Sequence, residues 1–327
     1  GQVYAEFQEY VRQHRQLGVL LTVNSKNDEA AASTGFERRD SVLKKDDFVV
    51  FKANWETKAR NLQETAEELK LLPESFVFVD DNPAEREIIR QTAPQAAVPE
   101  LDCAEHYIKI LDRSGFFEVT CLSEDDLKRS DMYRENAMRR QQQASYTDYG
   151  AYLSSLEMKG TIREFQPEYM SRISQLTNKS NQFNLTTRRY SQAEIEAAAA
   201  DPLQLTLYGR LEDKFGDNGV VSVVIGKREG DILHIDLWLM SCRVLKRDME
   251  FAMMDELVKK CQESGIAKIR GYFYPTVKNG MVKDFYAGQG FEKISEDEDG
   301  ATVWEYSVSG DYAVKNRVIE VNGEGTT

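Results

Sequence analysis

Residues 76–90 read FVFVDDNPAEREIIR, and this stretch decides the fold of the first part of the chain. Residues 76–79 are a short, continuous apolar run, which is typical of a parallel strand covered by helices on both faces. Asp80 and Asp81 follow directly, and Pro83 suits the first turn of a helix. A buried strand that leads through a polar turn into a helix predicts a parallel α/β sheet.

The same alternation of strand and helix occurs through the first third of the chain. Apolar runs at 19–23, 48–51 and 97–99 predict three more strands. A helix that ends at Gly18 precedes the first of them, and residues 55–71 predict another helix with its apolar side chains on one face. This order favours a parallel α/β domain at the start of the chain.

Composition limits the classes of function. The chain has 327 residues, enough for about two domains, and a formal net charge of -13, which argues against nucleic acid or an anionic membrane as a partner. No apolar run reaches the roughly 18 residues of a membrane helix and no signal peptide is visible, so a cytoplasmic location is predicted. Cys103, Cys121, Cys242 and Cys261 show neither a CxxC spacing nor a nearby histidine, and we therefore predict reduced thiols and no zinc site.

The second half of the chain has a different pattern. Ser123, followed by three acidic residues, predicts the start of a long polar helix. Further on, strands are predicted with turns at 216–219 and 229–231, and a helix at 248–264 that is ended by Gly265. The predicted divisions are an α/β domain at 1–120, a helical connector at 121–157, a second domain at 158–308 and a loose tail at 309–327.

Polar residues stand at the ends of three predicted strands. Ser25 and Asn27 follow the first, Lys58 comes after the second, and Asp80 and Asp81 follow the third. Ligands of open α/β sheets bind at this edge, and two adjacent carboxylates are costly to ionise without a cation. Mg²⁺ binds carboxylate and phosphate oxygens together, and a hydroxyl and an ammonium group suit phosphate. The alternative is that the two aspartates are only a turn and helix cap and that Lys58 is a solvated side chain.

In order and spacing, Ser25, Lys58 and the pair Asp80-Asp81 resemble the second, third and fourth motifs of the haloacid dehalogenase (HAD) superfamily of phosphotransferases. The resemblance implies that Ser25 binds a phosphoryl group, that Lys58 neutralises it and that the two aspartates hold Mg²⁺. The first motif of the superfamily, DxDxT, supplies the nucleophile and lies upstream. Residues 1–24 contain no aspartate, so we expect either a truncated chain or a naturally inactive domain.

Five longer strings narrow the resemblance. They are VNSKND (23–28), FVFVDDNPAEREIIR (76–90), NKSNQFNLTTRRY (178–190), DKFGDNG (213–219) and WLMSCRVL (238–245). Together they resemble the FkbH-like family, HAD subfamily IIIC, over about residues 5–310. The resemblance implies an N-terminally incomplete, HAD-like α/β domain followed by a GNAT-like α+β acyltransferase domain. It also implies that glycerate is transferred from 1,3-bisphosphoglycerate to the phosphopantetheine thiol of an acyl carrier protein, as in methoxymalonyl–carrier protein biosynthesis.

Residues 278–291 resemble the GNAT pattern of an asparagine, a Phe-Tyr helix and a Gly-Phe pair. In this pattern Asn279 contacts pantetheine, and Tyr286 protonates a leaving thiolate or is only a half-buried aromatic residue. Arg243 begins the segment that corresponds to a pyrophosphate loop. Asp248 replaces a small residue there and would repel a pyrophosphate, so a carrier-bound pantetheine is favoured over free CoA as the cofactor.

Other residues have two interpretations each. Cys242 is either an acyl-carrying thiol or a small buried side chain. Arg188 and Arg189 either clamp a phosphate or carrier arm or belong to a polar loop. Asp217 and Asn218 form a glycine-flanked turn or part of a site, and His234 is predicted to be a packed or edge histidine rather than a base.

The sequence therefore predicts an enzyme that loads an acyl carrier protein from a phosphorylated small molecule. A module that binds a carrier protein without catalysis is the second hypothesis. A simple HAD phosphatase is the third.

Overall fold

The computed structural model describes residues 1–118 and 127–323, and it divides the chain into two compact units, Gly1–Ala137 and Met138–Thr327. The division lies within the predicted connector 121–157. The predicted helix start at Ser123, and Cys121, lie outside the described residues. Within the described ranges, no helix combines the length and apolar character needed to cross a membrane.

The described part of the first unit consists of helices around short parallel strand pairs. Its helices are α1 (Gln2–Gln16), α2 (Glu29–Glu37), α3 (Lys58–Leu69), α4 (Pro83–Thr92) and α5 (Tyr107–Arg113), and α6 (Arg129–Gln143) crosses the division between the units. Its strands are β1 (Thr22–Lys26) and β2 (Val50–Asn54), which pair in parallel.

The strands of the first unit begin later than the sequence predicts. The prediction rested on the apolar runs 19–23 and 48–51. The parallel pairing of β1 with β2 instead continues into the polar residues that follow, so Ser25 lies in β1 opposite Ala53. Residues 76–79 do not form a full strand. Val77 forms an isolated parallel bridge with Ala97, so the strand predicted at 97–99 is also reduced to this contact.

The core of the first unit joins helices α3 and α4 to residues 76–79. Leu62, Phe78 and Ile89 are buried together there. Helix α4 begins as predicted, with Pro83 at its first position, and the side chain of Asn82 accepts a hydrogen bond from the backbone N–H of Ala84. This start places the acidic pair immediately before a helix N-terminus.

The second unit is built on one mixed sheet. Its remaining helices are α7 (Tyr149–Ser155), α8 (Met170–Lys179), α9 (Gln192–Ala200), α10 (Met249–Glu263) and α11 (Phe285–Gly288). Its strands are β3 (Met158–Arg163), β4 (Gln204–Asp213), β5 (Gly216–Glu229), β6 (Ile232–Met240), β7 (Lys268–Phe273), β8 (Glu292–Glu296), β9 (Thr302–Ser307) and β10 (Ile319–Val321).

The strands of this sheet lie in the order β10-β3-β4-β5-β6-β7-β9-β8. The pairs β10–β3 and β6–β7 are parallel and the others are antiparallel. One face of the sheet packs on α10, and the other packs on α8 and α9. The predicted fold class is confirmed: α/β with parallel strand pairs in the first unit, and α+β with a mixed sheet in the second.

Two predictions about the second unit are wrong. Residues 216–219 are not the turn, because β5 begins at Gly216 and the turn is made by residues 214–215. The Oδ1 atom of Asp213 closes this turn by accepting hydrogen bonds from the backbone N–H groups of Phe215 and Gly216. The tail 309–327 is not loose throughout, because Ile319 is fully buried and begins β10, which pairs with β3.

Strands β6 and β7 diverge towards their C-terminal ends. Their pairing stops at His234 and Arg270. On the other edge of β6, Gly226 faces Ile235 and Ile225 faces Leu237, so Asp236 is the extra residue of a β-bulge.

Residues 183–185, here called the inserted segment, lie between the diverging strands. The backbone N–H of Leu185 donates to the carbonyl of Trp238 at 3.1 Å, and that of Met240 donates to the carbonyl of Phe183 at 3.0 Å. On the other side, the backbone N–H of Tyr274 donates to the carbonyl of Leu185 at 2.9 Å. The chain's own backbone therefore fills the opening.

Candidate phosphate and acyl-transfer sites

Lys58 and Asp80 form the centre of the candidate phosphate site. The Lys58 Nζ atom is 2.5 Å from Asp80 Oδ2, and the two side chains are only 15% and 5% exposed. The other oxygen of Asp80, Oδ1, accepts a hydrogen bond from the backbone N–H of Asn82 at 2.9 Å. Two residues predicted from separate motifs are thus in direct contact, in a largely desolvated ion pair.

The two neighbours of Ser25 tie its strand to the other two motifs. The Asn24 side chain donates to the backbone carbonyl of Lys58 at 2.7 Å, which ties the end of β1 to the start of α3. The Lys26 Nζ atom is 2.6 Å from Glu85 Oε1, which ties β1 to the first turn of α4. Half-buried Ser25 therefore lies between two links to the other motifs. Asn27 is exposed beyond the strand, and its Oδ1 accepts from the backbone N–H of Asp28.

A buried asparagine network supports the same edge of the first unit. Asn61 is fully buried, and its Nδ2 lies 2.9 Å from Asn54 Oδ1 and 3.2 Å from Asn24 Oδ1. It links the ends of β1 and β2 to helix α3. Sequence reasoning missed this residue, although a polar side chain next to Leu62 on the apolar face of α3 was the available signal.

Buried Arg86 holds the backbone of the loop that carries Asp80 and Asp81. Its Nη1 donates to the backbone carbonyls of Asp80 at 2.9 Å and Asp81 at 3.1 Å, and its Nη2 donates to the carbonyl of Leu101 at 3.0 Å. The loop is therefore positioned by its backbone, and the two carboxylates need not hold it. Sequence reasoning also missed Arg86. It is the fourth residue of the amphipathic helix α4, and this position gave no sign of its role.

The donor set fits Mg²⁺. Both aspartates offer carboxylate oxygens, and protein-bound Mg²⁺ commonly takes one or two carboxylates together with phosphate oxygens and water. Asp80 already pairs with a cation, the Lys58 ammonium group, and Asp81 is exposed. The Oε2 atom of Glu85 is buried and has no hydrogen-bond partner in the part of the chain that the structure describes. Asp80 and Asp81 are the residues that would hold the ion, which would neutralise a phosphoryl group.

The prediction that no cysteine has a nearby histidine is wrong. His106 Nδ1 lies 3.4 Å from Cys103 Sγ and 2.8 Å from Asp102 Oδ2. All three side chains are exposed. The hydrogen bond from His106 lowers the pKa of Asp102, whereas desolvation and neighbouring carboxylates raise the pKa of the Cys103 thiol. We assign no metal to this group, because exposed clusters of such side chains are common without one.

Tyr286 lies in the core of the second unit. It is fully buried, so the half-buried alternative is wrong, and its role as the acid that protonates a leaving thiolate stays a prediction. Its ring packs against Phe291 and Phe285, and burial raises its pKa. The hydroxyl has no hydrogen-bond partner among the described residues. In this structure the phenol is closed off from any ligand in solution.

Asn279 is also buried, and its side chain organises a loop. Its Oδ1 accepts from the backbone N–H of Thr276 at 2.7 Å. Its Nδ2 donates to the carbonyls of Asn184 at 3.0 Å and Tyr274 at 2.9 Å. The amide predicted to contact pantetheine thus fastens the inserted segment to the end of β7.

Cys242 and Arg243 follow β6 directly. Cys242 is exposed, so its interpretation as a small buried side chain is wrong. The backbone N–H and the Nε of Arg243 each lie 3.4 Å from Ser241 Oγ. Asp248 has a positive φ of 61°, at the start of α10.

Asn218 belongs to a buried network of charged side chains. Arg139 donates to both oxygens of Asp213 at 2.7 Å, and Arg247 Nη1 lies 3.2 Å from Asp213 Oδ2 and 3.4 Å from Asn218 Oδ1. Burial, followed by the nearby Arg139, lowers the pKa of Arg247. Neighbouring Asp217 instead pairs with Arg210 at the surface, at 2.7 Å. The two residues lie in β5 and serve different partners.

Arg188 and Arg189, like Asp217 and Asn218, are neighbours that have different partners. Arg189 donates to the backbone carbonyls of Thr177 and Ser180 and so holds its own loop. Arg188 forms a salt bridge with Asp236, the bulge residue, which also accepts a hydrogen bond from the hydroxyl of Tyr190. Arg188 alone of the two lines a cleft of about 300 Å³ beside the bulge.

The same cleft contains His234, which the sequence predicted to be a packed or edge histidine rather than a base. His234 Nδ1 lies 2.7 Å from the hydroxyl of Tyr272, and its Nε2 lies 3.8 Å from Glu229 Oε2. The sequence signal was weak, because the two ring residues are 38 positions apart and meet only when β6 pairs with β7.

Three solved structures show what the chain is similar to. The N-terminal part of a Bacteroides fragilis protein, which contains a phosphatase domain and is complexed with Mg, has 40% sequence identity over 37% of this chain, with a TM-score of 0.37. This chain covers 33% of that structure. Ard1 from Thermoplasma volcanium has 21% identity, covers 46% of this chain, is itself covered to 98% and has a TM-score of 0.36. The PaiA N-acetyltransferase from Thermoplasma acidophilum, in complex with coenzyme A, has 17% identity and a TM-score of 0.35. The match covers 46% of this chain and 99% of that protein.

No protein-family model matches the chain, and no curated protein matches it. The similar structures named as phosphatase or acetyltransferase are enzymes, and each covers less than half of this chain.

Proposed function

We propose that this protein loads an acyl carrier protein, as its resemblance to the FkbH-like family implies. The glyceryl group of a phosphorylated three-carbon donor, such as 1,3-bisphosphoglycerate, is transferred to the phosphopantetheine thiol of the carrier. Phosphate is removed at the Mg²⁺-dependent HAD-like site. Methoxymalonyl–carrier protein biosynthesis is the setting that the family suggests.

The observation that supports this proposal most strongly is the contact between Lys58 and Asp80, with the strand of Ser25 tied to the start of α3 through Asn24. A lysine and a hydroxyl at the carboxyl ends of parallel strands suit a phosphoryl group, and the adjacent carboxylates suit its Mg²⁺ ion. Lys58 is largely buried and preorganised, so its charge acts on a phosphoryl group with little reorganisation.

The second unit supports the acyl-transfer half of the proposal. Exposed Cys242 stands at the end of β6, where a thiol is accessible to an acyl group. Arg243 follows it and adds positive charge, which suits the single phosphate of a carrier arm.

One observation favours the second candidate, a carrier-binding module without phosphoryl chemistry. Both oxygens of Asp80 are engaged within the chain, one by Lys58 and one by the backbone of Asn82. Because both of its oxygens already have partners, Asp80 is destabilised less by the absence of a metal ion.

The test uses the protein at its natural full length with Mg²⁺, 1,3-bisphosphoglycerate and a holo-carrier protein. Mass spectrometry of the carrier is expected to show the added mass of one glyceryl group. Lys58→Ala is expected to abolish the gain, whereas Lys52→Ala, which removes a lysine paired with Glu64 outside the site, retains it. A folded wild-type protein that leaves the carrier mass unchanged refutes the loading function. Carrier binding without a mass gain would establish the second candidate.

A further inference from the structure

We propose that the cleft beside the β6 bulge is the place where the acceptor thiol loses its proton, through a relay of Tyr272, His234 and Glu229. This inference rests on the proposed function, because acyl transfer to a carrier arm requires a thiolate nucleophile. It assigns the proton transfer to residues other than Tyr286, which is sealed in the core.

The geometry of the relay follows from the parallel pairing of β6 and β7. His234 is opposite Arg270, and Tyr272 lies two residues further along β7 on the same face. The Tyr272 hydroxyl is 2.7 Å from His234 Nδ1, and the two rings are nearly parallel, at 16°. His234 Nε2 is 3.8 Å from Glu229 Oε2. The phenol is therefore within hydrogen-bond distance of the imidazole, and the carboxylate lies at ion-pair distance from its other nitrogen.

The direction of the hydrogen bonds follows from the phenol. Desolvation raises the pKa of Tyr272, so its hydroxyl keeps its proton at neutral pH. In the proposed relay this hydroxyl donates to Nδ1 of His234. The neutral imidazole then carries its hydrogen on Nε2, towards Glu229. The carboxylate of Glu229 stabilises the imidazolium ion that forms when Nδ1 takes up a proton.

The cleft is accessible because strands β6 and β7 separate at this point. The pairing of β6 with β7 ends at His234, and the bulge at Asp236 turns the following residues away. The inserted segment fills the space between the strands further along.

The cations around the cleft differ in their pairing within the described residues, and Arg270 interacts with Tyr272 and forms a salt bridge with Glu305. Arg188 is neutralised by Asp236. Lys227 is exposed directly opposite His234 on β5, and it makes no salt bridge within residues 1–118 and 127–323. A thiolate formed here would have Lys227 and the new imidazolium as its counter-charges.

The proton transfer is balanced within the relay. The S–H bond of the acceptor breaks as its proton moves to the phenol oxygen of Tyr272, while the phenol's own proton moves to Nδ1 of His234. The products are a thiolate and an imidazolium ion between Tyr272 and Glu229. The thiolate electron pair then forms a C–S bond with the acyl carbon of the acyl-phosphate donor, and the C–O bond to the phosphate breaks, so that phosphate leaves with that bond's electron pair and no oxidant or reductant is needed.

The experiment observes the imidazole of His234 directly. The protein has three histidines, so ¹⁵N-histidine NMR gives three assignable rings, with His14 and His106 as internal controls. In the free protein we expect His234 to carry its hydrogen on Nε2. Addition of pantetheine is expected to convert it to the doubly protonated form. S-methyl pantetheine, which has no S–H proton, is expected to leave its protonation unchanged.

Variants separate the relay from a merely structural hydrogen bond. Tyr272→Phe is expected to abolish the response to pantetheine, whereas Tyr146→Phe, at a tyrosine outside the cleft, leaves it intact. His234→Gln provides a second variant for the transfer assay if Tyr272→Phe fails to fold. An unchanged His234 signal at millimolar pantetheine, or an equal response to the S-methyl compound, overturns the proposal.

The transfer assay keeps the two hypotheses distinguishable. If glyceryl transfer occurs, Tyr272→Phe is expected to lower kcat by about 10²-fold with little change in KM for the carrier. If wild-type protein transfers nothing but His234 takes up the thiol proton, the proposed function fails and the relay stands. If transfer occurs at full rate in Tyr272→Phe, the relay fails and the proposed function stands.

Discussion

The buried network at Asp213 gives the sharpest prediction about stability. The side chains of Arg139 and Asp213 are 3% and 0% exposed, and Arg247 shares the same carboxylate. Asp213→Asn keeps the Oδ1 atom that closes the turn before Gly216, but it replaces Oδ2 with an amide donor. The substitution therefore aims a donor at two guanidinium groups that need an acceptor.

The expected loss follows from the hydrogen bonds. The Oδ2 atom accepts from Arg139 Nε at 2.7 Å and from Arg247 Nη1 at 3.2 Å. Hydrogen bonds to charged groups contribute about 1.5–3 kcal/mol each, so the loss of both is expected to lower the free energy of unfolding by about 3–6 kcal/mol. Breaking a buried ion pair by removal of one partner costs a similar amount.

Urea denaturation followed by tryptophan fluorescence measures this loss. Trp238 and Trp304 are buried in the second unit, whereas Trp55 is already 72% exposed, so the change in emission reports mainly the unfolding of the second unit. Asp217→Asn is the matched control, because its pair with Arg210 is 34% and 43% exposed and is expected to contribute at most about 1 kcal/mol. The reasoning is refuted if Asp213→Asn costs no more than this control.

Three further predictions concern packing, pH and the acidic loop. Gly271→Ala places a Cβ atom 2.3 Å from the ring of Tyr286 and is expected to lower the free energy of unfolding by about 1–3 kcal/mol. In the control Gly280→Ala, the new Cβ atom meets open space. Thermal unfolding of both variants checks this prediction. Burial raises the pKa of Glu250, so the stability that its neutral form provides is present below the unfolded pKa and is lost as pH rises through the folded pKa. Glu250→Gln is therefore expected to raise Tm at about pH 8 and to change it little at about pH 4, and equal shifts at both values would contradict this assignment. Arg86→Met removes three backbone hydrogen bonds and is expected to weaken the proposed Mg²⁺-dependent removal of phosphate at the Asp80–Asp81 loop, measured beside the Lys52→Ala control.

Local signals in the sequence predicted much of the structure. The helix at Pro83 and the end of α10 at Gly265 follow from capping and turn chemistry, and the order of motifs placed Lys58 and Asp80, which are in contact, at one edge. These features depend on a few neighbouring residues or on the rule that strand ends meet at one edge.

Features that depend on tertiary contacts could not be predicted. The glycines at 216–219 favour a turn, but the Asp213 side chain closes the turn earlier. The polar tail gave no sign that Ile319 is buried beside β3. The His234–Tyr272 contact and the inserted segment arise from pairing between distant parts of the chain.

The inserted segment affects how tightly any extended arm could bind between β6 and β7. Such an arm would compete with the chain's own backbone in a strand-displacement reaction, and three main-chain hydrogen bonds would have to break first. At about 0.5–1.5 kcal/mol net for each bond, the apparent affinity would fall by roughly one to three orders of magnitude. A substitution that loosens residues 183–185 would then tighten binding of the arm while it destabilises the fold, and the two effects would change together across a series of variants.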